Sequence, residues 1–417
     1  MRRYLPYVGV TILMLLALLG TMDLFVIALP WAKEWTGIRK SSLNTLYRAG
    51  LPHTYSPRGY SGQDSGPWPL LMASSPAYAN EDWAEEYWAR ELSHYAQIRY
   101  EAGDQFQPNV IWRVKPRQSK YVNVDADGVR TTFNQPTSSP PRQVYLFGAS
   151  TAFGTGVPDE FTIASQLSRE LNSVRSEFAV KNFGTGSYIL QQDTQLFIEA
   201  ILKREKPSVA VFYHGANDSY AALFSPAKLG WYLGSDQIER KLSRPSNAKR
   251  TSLFEDLPIV KLLLSQLIDS PLRSQEESPF LEDYTSRAQQ FVAFYIETLS
   301  LLDKICHTYD VRCFYFWQPV VFYSKKPLSP FEKAMLDNPS LLSIGTFDEK
   351  HGNYQRKSMS AAYAAIEKAL PPNSTFHNLN YIFDSRSETI FTDYVHVGAL
   401  GNSLIAKEIA GSILANY

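Results

Sequence analysis

The stretch YLFGASTAFGTG, residues 145–156, runs three large apolar or aromatic residues into Gly148 and places Ser150 two positions later. A serine there is either a nucleophile at the mouth of a sheet or the opening residue of the next helix. Three other segments hold the groups such a nucleophile needs. NFGTGSY (182–188) is a glycine-containing turn with backbone N–H groups to offer. HGAND (214–218) carries Asn217 and Asp218, and DYVHVG (393–398) sets Asp393 three residues before His396.

Together these are the parts of an acyl-transfer site. A serine hydroxyl is a weak nucleophile and requires an imidazole within hydrogen-bond reach. His396 supplies one, and Asp393 is placed to orient it. The tetrahedral oxyanion requires preorganised donors, for which the candidates are the Ser150 N–H, a backbone N–H in the Gly186–Ser187 turn, and the Asn217 carboxamide. Each piece alone has a plainer reading: a helix start at Ser150, an ordinary strand-to-helix turn at 182–188, a cap pair at Asn217-Asp218, a helix-entry residue at His396. His214, before the GAND turn, reads as a structural rim residue. His53, His94, His307, His351 and His377 lack a comparable loop setting. The order of all four segments along the chain favours catalysis over those separate readings.

The elements that must position them follow SSPPR (138–142), the best domain boundary. QVYLFG reads as a strand, and DEFTIASQLSRELNS as an amphipathic helix with Ile163, Leu167 and Leu171 on one face. FAVKNFG, SVAVFYHG and VRCFYFWQP read as further strands, and TFHNLN is a short apolar segment. Helices are expected at DTQLFIEAILKREK, around 282–308, at SAAYAAIEKAL and at GALGNSLIAKEIAGSILANY. This alternation predicts an α/β fold with a parallel sheet covered on both faces. Ligands of such sheets sit at the carboxyl ends of the strands, where all four segments fall. Residues 221–281 and 320–357 are too long for simple connections and read as lids or cleft walls.

The α/β-hydrolase elbow G-x-S-x-G does not fit, because GASTA lacks its last glycine and the serine follows the first strand of the domain. The chain resembles instead the SGNH (GDSL-like) hydrolases over about residues 143–417. Ser150, the NFGTGSY turn, Asn217 in GAND and Asp393-x-x-His396 match that family's blocks. It is most similar to membrane-anchored bacterial members associated with surface polysaccharides, on the segments VIWRVKPRQSKYVNVDADGVRTTF and WQPVVFYSKKPLSPFE. The resemblance implies a three-layer, flavodoxin-like sandwich and a serine esterase with Ser150, Asp393 and His396 as its triad. Neither a metal nor an organic cofactor is implied. Two departures stand out. Ala149 replaces the aspartate of Gly-Asp-Ser, and the family's oxyanion glycine falls on Ser187, one position after Gly186, so that either residue is left as the backbone donor.

The N-terminus carries no charge from Tyr4 to Met22, and its apolar run from Leu5 to Leu29 is long enough for a bilayer core of about 30 Å. The expectation is one transmembrane anchor at 5–29, with a cytoplasmic N-terminus and the remainder extracytoplasmic, periplasmic at a bacterial inner membrane. An accessory region, 33–142, contains an aromatic, charged helix and a hairpin signal at Asp127-Gly128. Basic and acidic residues balance at 41 each, so no global field favours nucleic acid. The two cysteines, Cys306 at a helix end and Cys313 in a strand, lack zinc spacing; a local disulfide and two buried thiols both remain open. The activities consistent with all this are removal of acyl groups, acetyl above all, from an extracytoplasmic glycan, transfer of an acyl group onto a surface polysaccharide, and non-catalytic glycan binding or assembly.

Overall fold

The computed structural model describes residues 68–97, 104–137, 139–224, 229–230, 283–342, 349–370, 373 and 375–416. Helices α1 (Trp68–Ala73) and α2 (Ala84–Gln97) precede a small antiparallel pair, β1 (Asp104–Gln107) and β2 (Ile111–Val114). Then come β3 (Arg142–Gly148), α3 (Ser150–Phe153), α4 (Ile163–Val174), β4 (Phe178–Asn182), α5 (Leu190–Leu202), β5 (Val209–His214) and α6 (Ala216–Phe224). The rest is α7 (Tyr284–Thr308), β6 (Arg312–Trp317), α8 (Pro330–Asp337), α9 (Glu349–Ala369), β7 (Phe376–Asn378) and α10 (Ala399–Ala415).

Strands β3 to β7 form one parallel sheet in the order β4-β3-β5-β6-β7. All six residues of β5, the middle strand, are buried; the first five form an apolar run, as a strand between helix-covered faces requires, and the sixth is His214. Helices α4 and α10 pack together, while α7 packs against α5, α6 and α9. From β3 the chain moves outward to β4 and then returns past β3 to β5. The order therefore reverses between β3 and β5, which is where open α/β sheets take their ligands.

A row of rings stiffens the strand ends beside that point. Phe147 stacks on Phe212 (centroids 5.1 Å) and on Phe183 (5.2 Å), and Phe212 stacks on Tyr315 (5.6 Å). Cross-strand aromatic pairs of this kind add to burial and fix neighbouring strands in register.

The structure departs from the sequence pattern at element boundaries. Helix α5 starts at Leu190, three residues before the apolar pattern at Asp193, and α9 starts at Glu349 rather than Ser360. In both cases buried polar residues, Gln192 in α5 and Gln355 and Ser358 in α9, stand where the period would place apolar ones. Asp127-Gly128 forms a turn, but its flanks pair only through an isolated bridge (Val124 with Arg130), because Val124 exchanges its backbone hydrogen bonds with Arg117 and the Arg130 N–H donates to the Asn182 carbonyl at the end of β4. The described part of 320–357 is not lid-like: Val320, Val321, Phe331, Met335, Leu341 and Leu342 are buried. Cys306 and Cys313 are joined in a disulfide between α7 and β6, with Cα atoms 6.2 Å apart. The apolar segment 5–29 and most of 221–281 lie outside the described residues; among those described, no helix is long and apolar enough to cross a membrane.

Two buried arginines join the segment before β3 to the strand ends. Arg130, 1% exposed, donates to Asp159 Oδ1 at 2.7 Å and to the carbonyls of Phe153, Gly154 and Val157 at 2.8–2.9 Å. Arg113 donates to the carbonyls of Phe183 and Gly128 and to Thr185 Oγ1. The planar guanidinium, with five donors, is suited to collecting several fixed acceptors at once. Replacing Arg130 by Met leaves Asp159 as an unpaired buried charge. Arg130→Met is expected to cost about 3–5 kcal/mol, read from denaturant midpoints; an unchanged midpoint would show that the clamp carries no stability.

Candidate active site

Ser150 is the first residue of α3, and the residue in the capping position is Ala149, which has no side-chain cap to offer. The hydroxyl is thus not spent on the helix. Its Oγ lies 2.8 Å from His396 Nε2, and His396 Nδ1 lies 2.6 Å from Asp393 Oδ2. Asp393 is fully buried and His396 nearly so. The other carboxylate oxygen, Asp393 Oδ1, accepts from the backbone N–H of Val395 at 2.8 Å and of His396 at 2.6 Å. Burial alone would raise the Asp393 carboxyl. The charge and hydrogen bonds of His396, with the Val395 amide, outweigh burial and hold it below the usual carboxylate range. An ionised Asp393 then keeps the proton on His396 Nδ1 and leaves Nε2 as the acceptor facing Ser150.

The turn after β4 approaches α3 closely. A Cβ at Gly184 would stand 2.2 Å from the Phe153 nitrogen, so only glycine lets the two backbones meet. Asn182 completes the junction: its Nδ2 donates to the Ala152 carbonyl at 3.0 Å and its Oδ1 accepts from the Gly184 N–H at 2.9 Å. Further along, Gly186 has open space where a side chain would be, and its carbonyl accepts from Trp112 Nε1 at 3.1 Å. Ser187 adopts φ +64°, the left-handed conformation that a glycine would otherwise supply. Among the described residues none accepts a hydrogen bond from the N–H of Ser150, Gly186 or Ser187. Asn217, in the first turn of α6, donates one Nδ2 proton to the Tyr188 carbonyl at 3.2 Å, which holds the carboxamide beside this turn.

The geometry thus joins Ser150, His396 and Asp393 in one hydrogen-bonded line and ties Asn217 to the turn that holds Gly186 and Ser187. His214 is not at the rim. It is 1% exposed, buried under the GAND turn among Asp193 and Asp218. A supporting pair escaped the sequence reading. Lys326 and Glu332 form a fully buried ion pair, and Glu332 Oε1 accepts from the N–H of Ile390 (3.0 Å) and Phe391 (3.1 Å). With the Val321 N–H donating to the Tyr394 carbonyl at 2.9 Å, the segment 320–332 holds the Asp393–His396 loop. The S-P-x-E capping box at Ser329–Glu332 was the visible signal there, although it announces a helix rather than a loop anchor. A separate polar cavity of about 600 Å³, bordered by Gln105, Lys181, Glu199 and Lys203 at the free edge of β4, includes none of the Ser150–His396–Asp393 line.

No family model matches this chain, and no curated protein does. Among solved structures, it is similar to the acetyl xylan esterase AlAXEase, at 13% identity and TM-score 0.34, over 66% of this chain and 98% of that one. A carbohydrate acetylesterase, Est24 from Sinorhizobium meliloti, gives 13% identity and TM-score 0.28, over 66% and 100%. Esterase EstA from Pseudoalteromonas sp. gives 11% and 0.31, over 66% and 97%.

Ser187 offers a direct check on the turn. A left-handed conformation costs an L-residue about 1–2 kcal/mol, more when it is β-branched. Ser187→Gly is expected to keep or raise the thermal midpoint and Ser187→Val to lower it. Equal midpoints for the two variants would mean that the turn does not hold this conformation in solution.

Proposed function

We propose that this chain is a serine esterase of the SGNH type that removes acyl groups, acetyl above all, from an extracytoplasmic glycan. The observation that carries the reading is the line from Ser150 Oγ through His396 to Asp393, at 2.8 and 2.6 Å. In this mechanism Ser150 Oγ attacks the ester carbonyl while His396 Nε2 takes its proton. Asp393 stabilises the imidazolium, and the oxyanion settles on the Ser150 N–H, the turn at Gly186–Ser187 and Asn217. As the C–O bond breaks, His396 gives the proton to the departing sugar oxygen, leaving the acyl group on Ser150. A water, deprotonated by the same imidazole, releases the acid and restores Ser150.

The glycan and the compartment rest on other support. The resemblance to membrane-anchored, polysaccharide-associated members suggests the substrate class. The apolar run from Leu5 to Leu29 argues for an anchor, and a disulfide at Cys306–Cys313 fits an oxidising compartment.

The test is labelling of the purified protein with a serine-reactive fluorophosphonate. Ser150→Ala and His396→Ala are expected to abolish both labelling and p-nitrophenyl acetate hydrolysis. Asn217→Ala should fold normally and lose roughly 10²–10³-fold in kcat, the usual effect of losing one oxyanion donor. Equal labelling of wild type and Ser150→Ala would remove the catalytic reading.

The fate of the acyl group separates hydrolysis from transfer, since both proceed through the same acyl-enzyme. Water at roughly 55 M wins unless an acceptor is positioned to compete. Given an acetylated donor and excess oligosaccharide, the protein is expected to release free acetate faster than it acetylates the oligosaccharide, both followed by mass spectrometry. Dominant acetylated oligosaccharide would make the protein an acyltransferase.

A further inference from the structure

Beneath the turn that carries Asn217 lies a charged set that the esterase chemistry does not use. His214 ends β5 at 1% exposure, Asp193 on α5 is at 0%, and Asp218 on α6 is at 4%. His214 Nε2 stands 2.9 Å from Asp193 Oδ2, and its Nδ1 stands 3.4 Å from Asp218 Oδ2. Asp218 reaches across to the other loop: its Oδ1 accepts from the Leu190 N–H at 2.8 Å, and its Oδ2 from the Gly215 N–H at 3.3 Å. Asn217, its neighbour in sequence, donates to the Tyr188 carbonyl at 3.2 Å.

Burial alone would push the imidazole down, but Asp218 and Asp193 outweigh it and lift His214 to about 9. Burial pushes the Asp193 carboxyl up to about 6, against the pull of His214 and the buried Arg113. Stability does not explain such a set, because well-packed apolar residues usually do as well as a buried ion cluster. Geometry does explain it. The three side chains bring the end of β5, the start of α5 and the start of α6 within ion-pair distance of one another, at 2.9 and 3.4 Å, without hydrogen-bond geometry at His214. The turn at Gly186–Leu190 and the carboxamide of Asn217 hang from those three points, and the distance between them is the width of the candidate oxyanion hole.

We propose that His214, clamped between Asp193 and Asp218, is a positioning residue that fixes the Gly186–Leu190 turn against Asn217 and so sets the spacing of the oxyanion donors. Its catalytic consequence rests on the esterase reading; the clamp on the two loops does not. His214 touches no substrate and acts only through the turn and Asn217. Loosening the clamp therefore lowers transition-state stabilisation while leaving ground-state binding in place.

The test uses the full-length protein and the variants Asp193→Asn, Asn217→Ala and the combination, each assayed with p-nitrophenyl acetate. Asp193→Asn keeps the His214–Asp218 pair and is expected to lower kcat roughly tenfold at unchanged KM. In the Asn217→Ala background the same change should add little, since both act on one hole. A merely structural role predicts losses that multiply and a lower melting temperature instead, and either that result or an unchanged kcat overturns the proposal. Should the Asp193→Asn protein not fold, Asp193→Asn/His214→Gln removes both charges of that pair together and is judged by the same criteria. Amide hydrogen exchange reads the clamp without any activity: faster exchange in 185–190 and 215–219, and not elsewhere, is expected in Asp193→Asn. A wild-type protein inactive on esters would sink the esterase reading alone. Unchanged exchange in both loops would sink this one.

Discussion

The carboxylate of Asp393 is the interaction on which the site depends. It is fully buried, and one oxygen accepts the Val395 and His396 amides while the other faces His396 Nδ1. A buried carboxylate left without those donors would be strongly disfavoured, so the loop has little freedom to be anything but this turn. The same bonds aim the imidazole. Ser150, 246 residues earlier in the chain, is then met at 2.8 Å only because β3 delivers it to the same rim.

The scaffold around that carboxylate is made largely of buried charge that spends its hydrogen bonds on backbone. Glu332 holds the amides of Ile390 and Phe391, Arg130 the carbonyls beyond Ser150, and Arg113 the Phe183 carbonyl after β4 and the Gly128 carbonyl. Apolar packing could bury these loops, but it is tolerant of small shifts. A charged group with several directional partners is not, since each misplaced bond in a low-dielectric setting is expensive. Rigidity comes from below as well, through the stacked rings of Phe147, Phe183, Phe212 and Tyr315. The acyl-transfer chemistry proposed for the site would benefit from such fixity, because donors already in place need not reorganise as the oxyanion forms.

Much of this was legible from residue order alone. Apolar runs alternating with 3.6-residue periods were enough for a parallel α/β sheet and for four of its five strands, because burial on both faces leaves a continuous hydrophobic signature; the three-residue β7 is too short to leave one. The chemistry-bearing residues were legible for a related reason. In such a sheet the carboxyl ends of the strands share one rim, so Ser150, Asn217, Asp393 and His396 could be grouped without knowing any distance.

Tertiary structure decided what residue order could not encode. The role of His214 turned on whether Asp193, 21 positions earlier, would come to lie beneath it, and no local pattern records that. Glu332 reads locally as the last member of a helix capping box, and only the fold brings Ile390 and Phe391 to its second oxygen. Cys306 and Cys313 allowed a bond or two thiols until α7 and β6 set their Cα atoms 6.2 Å apart. Spacing along a chain specifies which groups share an element and which face they take. Contacts between elements depend on how loops of unequal length close, and that is settled only when the whole core packs.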